Sequence, residues 1–411
     1  MRYLFDERLE RSRGGEQLLS ASQQLGVVPR ADLDIEVWNP GDDVSHYKRA
    51  EMGDFVISLR SFQGGLEKAN ASGILSPAYT VLRPRDPSYT QFYRWYLKSP
   101  PFVAALDAMT TGIRQGKTVQ WKDCREIHLP FPPISRACAI ADFLDRECER
   151  VSLLKESVGQ VVSLAREQAR CSLEAELSDD RSAFGGVKLG WYCDVLSGYA
   201  FASNLFLGQG EGVRLLRGVN VGVHCLRWED VAEWPLGGGT QYARWQLAPG
   251  DLVLGLDRPW INAGLRLAEV QEEDLPALLL QRVARLRGEE TLLNGYIAAC
   301  LDSDRFRSDL AADMTGISVP HISSAQVASF RVPRPPVARQ EVVVETRKRT
   351  LDSIAKLEHQ IAKTTTCLDE YRTSLITEAV TGQLDVTEAS EGLMDERLHA
   401  AAEGRLGELA G

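Results

Sequence analysis

The second half of this chain repeats the landmarks of the first half in the same order. The run "MGDFVISLR" from Met52 matches "PGDLVLGLD" from Pro249, and their Gly-Asp pairs lie 197 residues apart. The further matches, 202 to 204 residues apart, are "VLRP" at Val81 with "RLRG" at Arg285, Ser99 and Phe102 with Ser303 and Phe306, Thr111-Gly112 with Thr315-Gly316, "LPFPP" at Leu129 with "VPRPP" at Val332, and "RCSLEAE" at Arg170 with "RTSLITE" at Arg372. This period is far too long for a solenoid, so the chain contains two copies of one domain and of whatever follows it.

A long helix is predicted after each copy. Residues 136–177 contain no proline and one glycine, and the Pro-Pro pair before them blocks backward extension of the helix. A second helix is predicted after the second Pro-Pro pair. Apolar residues at alternating spacings of three and four predict a coiled-coil seam on each helix. The predicted seam residues are Leu144, Val151, Leu154, Val158, Val161, Leu351, Ile354, Ile361, Leu368 and Leu375.

A helix with an exposed apolar seam needs a partner, and the nearest one is the helix that follows the other copy. We therefore expect the two long helices to form an antiparallel coiled coil within one chain. The alternative is that each helix lies in the core of its own domain. The narrow seams and the charged remaining faces favour the coiled coil.

The globular part of each copy mixes strands and helices. The runs "DFVISLR", "AYTVLRP", "DLVLGLD" and "LLLQRVARLR" are predicted strands, and helical stretches with apolar stripes follow them. This pattern is typical of the α+β class. The expected organisation is a first domain at residues 1–134, a long helix at 135–180, a second domain at 185–337, a long helix at 338–386 and an acidic tail at 387–411.

Composition places the chain among cytoplasmic, globular proteins. No apolar run approaches the roughly 18 residues of a membrane span, so no membrane partner is expected. The eight cysteines show no C-x-x-C pair, which argues against a zinc ribbon or a disulfide framework. The net charge is −10, and residues from Thr381 onward carry seven acidic and two basic side chains, which is half of it. Such a chain would bind DNA weakly alone, because phosphate neutralisation supplies most non-specific affinity.

The order of these motifs resembles the DNA-specificity subunit of Type I restriction-modification systems. The resemblance covers residues 1 to about 386 and includes the "RTSLITEAVTGQL" run that closes the second helix. It implies that each globular copy is a target-recognition domain for one half of a split site in double-stranded DNA. It also implies a coiled coil that spaces the domains, two methyltransferase subunits held on that coil, and restriction subunits that dock on the complex.

No catalytic apparatus is expected in this chain. Adenine methylation needs an Asn/Asp-Pro-Pro-aromatic stretch, which the sequence lacks, and "NPG" at Asn39 has no second proline. There is no G-x-x-x-x-G-K-[ST] loop for ATP, and the six histidines show no ligand-like pairing. We therefore expect no metal and no cofactor here. The resemblance assigns S-adenosylmethionine, ATP and Mg to the partner subunits, which would also flip the target base.

DNA recognition requires Arg or Lys for phosphates and Arg, Lys, Asn, Gln or Ser for base edges. The candidate residues follow the Gly-Asp strand and surround the Thr-Gly motif of each copy. They are Arg60, Ser61, Gln63, Lys68, Arg114, Gln115 and Lys117 in the first copy, and Arg258, Trp260, Asn262, Arg266, Ser318 and His321 in the second. Solvated surface loops are the alternative interpretation. The Gly-Asp pairs themselves are predicted to be structural, with the Asp capping the turn.

A second hypothesis about function comes from another class. The chain could be a coiled-coil scaffold whose duplicated domains bind proteins, and its acidic net charge fits that idea. Co-purification with a methyltransferase and sequence-dependent DNA binding would separate the two hypotheses.

Overall fold

The computed structural model describes residues 1–23, 25–33, 44–58, 64–109, 121–235, 239–311 and 320–387. Two compact units make up the chain. The first contains residues 1–159 and 361–411, and the second contains residues 160–360. Each unit therefore holds one globular domain together with a part of both long helices.

The helices and strands follow the α+β expectation. In the first domain the strands are β1 (Phe5–Glu7), β2 (Leu19–Ser22), β3 (Gly26–Pro29), β4 (Lys48–Ala50), β5 (Phe55–Ser58), β6 (Glu67–Lys68), β7 (Gly73–Leu75) and β8 (Tyr79–Pro84), and the helices are α1 (Thr90–Tyr96), α2 (Pro100–Ala108) and α3 (Trp121–Cys124). The long helices are α4 (Ile134–Phe184) and α8 (Val337–Thr381).

In the sequence, the second domain lies between the two long helices. Its strands are β9 (Val187–Lys188), β10 (Cys193–Ser197), β11 (Gly212–Leu216), β12 (Glu233–Pro235), β13 (Leu252–Gly255), β14 (Trp260–Ile261), β15 (Gly264–Leu265), β16 (Leu267–Glu269), β17 (Ala277–Leu279), β18 (Val283–Gly288) and β19 (Arg331–Val332). Its helices are α5 (Asn294–Leu301), α6 (Asp304–Ala311) and α7 (Ser324–Ser329).

The duplication is visible in the sheets. The first domain contains a four-stranded sheet in the order β1-β8-β5-β6, and the second contains one in the order β10-β18-β13-β16. Phe55 pairs with Leu82 in the first sheet, and Leu252 pairs with Leu286 in the second, so the two antiparallel registers correspond. The second domain adds a three-stranded sheet, β12-β11-β17.

The helical landmarks of the repeat also correspond in structure. A buried serine separates two short helices in each copy. The Ser99 hydroxyl donates to the Tyr96 carbonyl at 2.7 Å, and the Ser303 hydroxyl donates to the Cys300 carbonyl at 2.6 Å. Phe102 and Phe306, three residues further on, are fully buried. The serine therefore satisfies a carbonyl at the end of one helix, while the phenylalanine anchors the next helix in the core.

The Gly-Asp turns confirm the structural role predicted for them. The Asp54 carboxylate accepts the Glu51 N–H at 2.8 Å, and the Asp251 carboxylate accepts the Ala248 N–H at 2.8 Å. Gly53 and Gly250 have φ values of +93° and +81°, which favour glycine. The repeated phrase therefore encodes one capped turn into one central strand.

Each long helix starts directly after a Pro-Pro pair, as the sequence predicted. In the first unit, α4 residues Phe143 and Leu144 and α8 residues Leu375 and Ala379 belong to the main hydrophobic core. In the second unit, Leu177 and Val343 do the same. The helix ends are therefore core elements of the domains, while the stretches further along pair with each other.

The helix segments pair antiparallel within each unit. In the first unit, Val151 packs on Leu368, and the Lys155 ammonium lies 2.8 Å from the Asp369 carboxylate. In the second unit, Arg166 pairs with Glu358 at 2.6 Å and Arg339 pairs with Asp180 at 2.9 Å. In the first unit Cys148 also lies against Arg372, so residues further along α4 meet residues further back along α8 in both units, which defines an antiparallel coiled coil.

The predicted seam is largely turned away from solvent, with one error. Leu144, Val151, Leu368 and Leu375 are buried. The half-buried seam residues are Leu154, Val158, Leu351, Ile354 and Ile361. The prediction is wrong at Val161, which is 48% exposed, while its neighbour Val162 is half-buried. A strict seven-residue period drifts by about 20° per heptad around an α-helix of 3.6 residues per turn, so the inward position moves by one residue.

The predicted strand "LLLQRVARLR" is also corrected. It forms two strands, because β17 belongs to the three-stranded sheet and β18 to the four-stranded sheet. Arg282 separates them and has a φ of +71°, which is incompatible with a continuous strand. The run mixes apolar residues with one glutamine and three arginines, and this local pattern does not reveal a change of sheet.

Two further properties bear on function. Among the described residues, none of the helices has both the length and the apolar character required to span a membrane. The same residues contain no group of three or more His, Cys, Asp or Glu side chains that could hold a metal ion. All eight cysteines are free thiols.

Candidate nucleic-acid interface

The candidate surface of the second domain begins where β13 ends. The Leu256 N–H donates to the Arg282 carbonyl at 2.9 Å, which extends the pairing of β13 with β18 by one residue. Asp257 then forms an isolated antiparallel bridge with His321, and the Arg258 N–H donates to the Pro320 carbonyl at 2.8 Å. The loop after β13 and the segment at His321 are therefore neighbours, as the two candidate loops of this copy require.

The β14–β15 hairpin carries the next candidates. Trp260 pairs with Leu265 across the hairpin, and its ring centroid lies 5.6 Å from that of the buried Phe306. Trp260 therefore anchors the hairpin on the core with half of its surface buried. Asn262 lies exposed at the tip, and Arg258 is exposed just before the hairpin with a φ of +45°. These two side chains are free to meet a ligand.

Arg266 donates hydrogen bonds within its own domain. Its guanidinium donates to the carbonyls of Val221 and Asp257, at 2.9 Å each. Burial lowers the pKa of Arg266, and the neighbouring Arg227 and Arg258 lower it further, while Asp257 opposes them. Two of the five N–H donors of Arg266 therefore tie the loop to the domain, and its charge adds to a basic surface.

Arg282 was missed at the sequence level although it lies at the same place. Its side chain is 63% exposed, and its guanidinium pairs with the Asp257 carboxylate at 3.0 Å. Only the change of sheet at this residue brings it beside Asp257. In the sequence it is one of three arginines of the run "LLLQRVARLR", and nothing there distinguishes it from the other two.

In the first domain, one candidate residue, Lys68, lies among the residues that the structure describes. Lys68 ends β6 and its ammonium lies 3.4 Å from the Gln91 side-chain oxygen. Burial lowers the pKa of Lys68, and the charge of Arg94 adds to that effect. Lys68 lines a cleft of about 380 Å³ together with Glu67, Arg94 and Lys98. The Lys98 ammonium pairs with Glu67 at 2.6 Å, so this cleft mixes both signs of charge.

The other candidates lie outside the described residues. They are Arg60, Ser61, Gln63, Arg114, Gln115, Lys117 and Ser318. The structure therefore brings together Arg258, Trp260, Asn262, Arg266 and His321 in the second domain, and Lys68 stands alone for the first.

Comparisons with known proteins agree with this architecture. A segment of 175 residues is 33% identical to the Type I restriction enzyme EcoAI specificity subunit of Escherichia coli, covering 42% of this chain and 29% of that protein. A longer match of 302 residues is 25% identical to the MjaVIII specificity subunit of Methanocaldococcus jannaschii, covering 70% of this chain and 69% of that protein. No family model matches the chain.

A solved structure shares the fold. It comes from work on complex assembly and conformational transition of the type I R-M system, and it aligns with a TM-score of 0.59 at 16% identity. The alignment covers 92% of this chain and 98% of that one. At this identity the likeness concerns the fold alone.

The fold and the candidate surface define a class of protein: a duplicated α+β domain joined by an intramolecular antiparallel coiled coil. The sequence matches show that the chain is similar to specificity subunits of Type I restriction enzymes. The segment matched in the EcoAI subunit spans less than a third of that relative.

Proposed function

We propose that this chain is the non-catalytic, sequence-specific DNA-binding subunit of a Type I restriction-modification complex. Each globular domain binds one half of a bipartite site, and the paired long helices set the spacing between the two halves. The observation that carries this proposal is the duplication itself: two copies of one sheet and one capped turn, each joined to the antiparallel helix pair. A chain built this way binds twice.

The divergence between the copies supports recognition of two different half-sites. The turn and the central strand are the same in both, while the residues directly after the strand differ: "RSFQGGLEK" follows in the first copy and "RPWINAG" in the second. In the second copy these residues form the hairpin that presents Arg258 and Asn262. Arginine and asparagine are the side chains that most often read guanine and adenine in the major groove.

Chemistry belongs to the partners in this proposal. Two methyltransferase subunits would supply S-adenosylmethionine, and restriction subunits would supply ATP- and Mg-dependent work. The net charge of −10 fits a chain that binds DNA in a complex, because partners then contribute part of the phosphate neutralisation. The corresponding location is the cytoplasm, where the complex would act on DNA.

Methylome sequencing tests the proposal. The chain is co-expressed with its methyltransferase subunits in cells that lack other methylation, and we expect a bipartite motif with a fixed spacer. Methylation without a motif, or the same motif in cells lacking this chain, would contradict the proposal. The scaffold alternative predicts instead that the chain co-purifies with proteins but leaves the methylome unchanged.

A change in the length of the two long helices tests whether they set the spacing between the half-sites. Inserting four residues, about one helical turn, into α4 after residue 159 and into α8 after residue 360 keeps the two helices in register. The insertion adds about 6 Å, so we expect the spacer to change by roughly two base pairs. The matched control replaces four residues at the same places without changing the length. An unchanged spacer in the insertion variant would show that the helices do not measure the site.

A further inference from the structure

Arg282 is an exposed arginine that an ion pair with Asp257 holds at one nitrogen of its guanidinium. Its Nη1 atom lies 3.0 Å from one oxygen of Asp257 and 3.4 Å from the other. The Arg282 side chain is nevertheless 63% exposed. The carboxylate therefore holds the guanidinium through Nη1 and leaves the N–H donors of Nε and Nη2 available to a ligand.

The backbone holds this pair at a defined place. Arg282 occupies a φ of +71°, and its carbonyl accepts the Leu256 N–H at 2.9 Å. Arg258, the neighbour of Asp257, has a φ of +45°. Residues other than glycine rarely adopt these conformations, and such strain is concentrated at functional sites.

The surroundings of the pair are basic. Arg227 and Arg258 lie close enough to Arg266 to lower its pKa, and the charge of Asp257 opposes them. Arg266 thus lies close to two further arginines, on a chain whose net charge is −10. A local excess of arginine of this kind is suited to a polyanion.

The first copy cannot form the same pair. The sheet registers align Gly255 with Ser58 and Val283 with Tyr79. Counted along the sequence from these partners, the equivalent of Asp257 is Arg60 and the equivalent of Arg282 is Ala78. The pair therefore distinguishes the two domains, although the strands that carry it correspond.

We propose that Arg282 reads a guanine of the half-site bound by the second domain, and that Asp257 is its positioning residue. This inference rests on the proposed function. A phosphate contact needs only charge, whereas bidentate recognition of the guanine O6 and N7 atoms needs a guanidinium held in one plane. The contact with Asp257 limits the rotamers of Arg282 before binding. Less side-chain entropy is therefore lost when the arginine contacts a base.

The test uses the full chain in complex with its methyltransferase subunits. Selection from random-sequence duplexes first defines the preferred bipartite site. Affinity is then measured for that site and for single substitutions at every position, at several salt concentrations. Two variants are compared with the wild type. Arg282→Asn removes the guanidinium but suits the positive φ, and Arg282→Lys keeps the charge without the planar fork.

We expect both variants to lose about 10- to 100-fold of the preference for one G·C pair, in one half-site only. Arg282→Lys should keep the salt dependence of the wild type. Asp257→Asn should weaken the same preference, and the double variant Asp257→Asn/Arg282→Asn should be no worse than Arg282→Asn. Thermal unfolding should be unchanged, which separates positioning from a purely structural role.

Arg305 provides the matched control, because it is an exposed arginine of the same domain paired with an aspartate, Asp309, on a regular helix. Arg305→Asn should leave base preference unchanged. A uniform loss of affinity for all sequences on Arg282→Asn, with full activity of Arg282→Lys, would identify a phosphate contact and overturn base reading. Unchanged preference in both variants would overturn it too. If the wild-type complex selects no motif, the proposed function itself fails.

Discussion

The carboxylate of Asp54 lies 2.7 Å from the Nε atom of Arg8, and both side chains are almost completely buried. In the second copy, Asp251 caps the same turn but pairs with Arg287, also at 2.7 Å. Arg8 follows β1, whereas Arg287 lies in β18, so the arginine comes from a different strand in each copy. The residue that matches Arg287 in the first copy, Arg83, is exposed. Both copies therefore keep the capped turn, but the arginine that pairs with the capping aspartate comes from a different strand in each copy.

This exchange predicts unequal effects of removing the two arginines. Arg8→Ala leaves a buried carboxylate without its partner and should cost about 3–5 kcal/mol. Arg287→Ala should cost less, roughly 1–2 kcal/mol, because Arg287 is 45% exposed and water can replace it. Hydrogen–deuterium exchange of the β5 and β13 amides measures each domain separately. Arg83→Ala is the control, and equal losses of protection in β5 and β13 would contradict the prediction.

Two leucines of the first unit test the coiled-coil seam. Leu368 is buried against Val151, whereas Leu153 is 56% exposed. Leu368→Ala should destabilise the helix pair by about 2–5 kcal/mol, because it removes buried methyl groups and leaves a cavity. Leu153→Ala, the same change at the surface, should alter stability by less than about 0.5 kcal/mol. Urea unfolding followed by helical circular dichroism measures both, and similar midpoints would argue against this seam.

His224 predicts a loss of stability in acid. Partial desolvation of its ring lowers the pKa of His224 below the ordinary value of about 6.5, although the side chain stays 34% exposed; Arg347 and Arg166 lower the pKa further and Asp302 opposes them. Its Nδ1 atom lies 3.2 Å from Arg347, so protonation would oppose two cations. Because the unfolded state binds the proton more tightly, stability is full above the unfolded pKa and falls as the pH drops below it.

His224→Asn removes this titration and tolerates the positive φ of the position, +57°. The melting temperature of the wild type should therefore fall relative to that of His224→Asn as the pH is lowered from about 7 to 5. Parallel pH profiles of the two proteins would show that His224 does not titrate between the two states.

Two glycines should respond to alanine in opposite directions. Gly250 has a φ of +81° and open space around it, so Gly250→Ala carries only the backbone cost of about 1–2 kcal/mol, and Gly250→Asn should cost less. Gly159 lies inside α4, also in open space and without a positive φ. Gly159→Ala should stabilise the helix by about 0.8–1 kcal/mol. Thermal unfolding of the three variants provides the measurement, and destabilisation by Gly159→Ala would refute a simple helix-propensity effect.

The sequence alone determined the architecture, because repetition and periodicity are properties of the chain. Two Gly-Asp turns, two Pro-Pro pairs and two seams with spacings of three and four predicted a duplicated α+β domain with an antiparallel coiled coil, and the structure confirmed that fold. The same local chemistry identified the capping role of Asp54 and Asp251, since a turn cap involves neighbouring residues only.

Tertiary structure decided what depends on contacts distant in sequence. The run "LLLQRVARLR" gave no sign of a change of sheet at Arg282, and so no sign that this residue lies beside Asp257, 25 residues earlier. Arg266 stays a predicted DNA contact, and only the structure shows that two of its donors already bind backbone carbonyls of its own domain. Val161 lost its seam position because the helix drifts from the heptad. Local patterns specify which elements form, while long-range packing specifies which side chains remain available to a ligand.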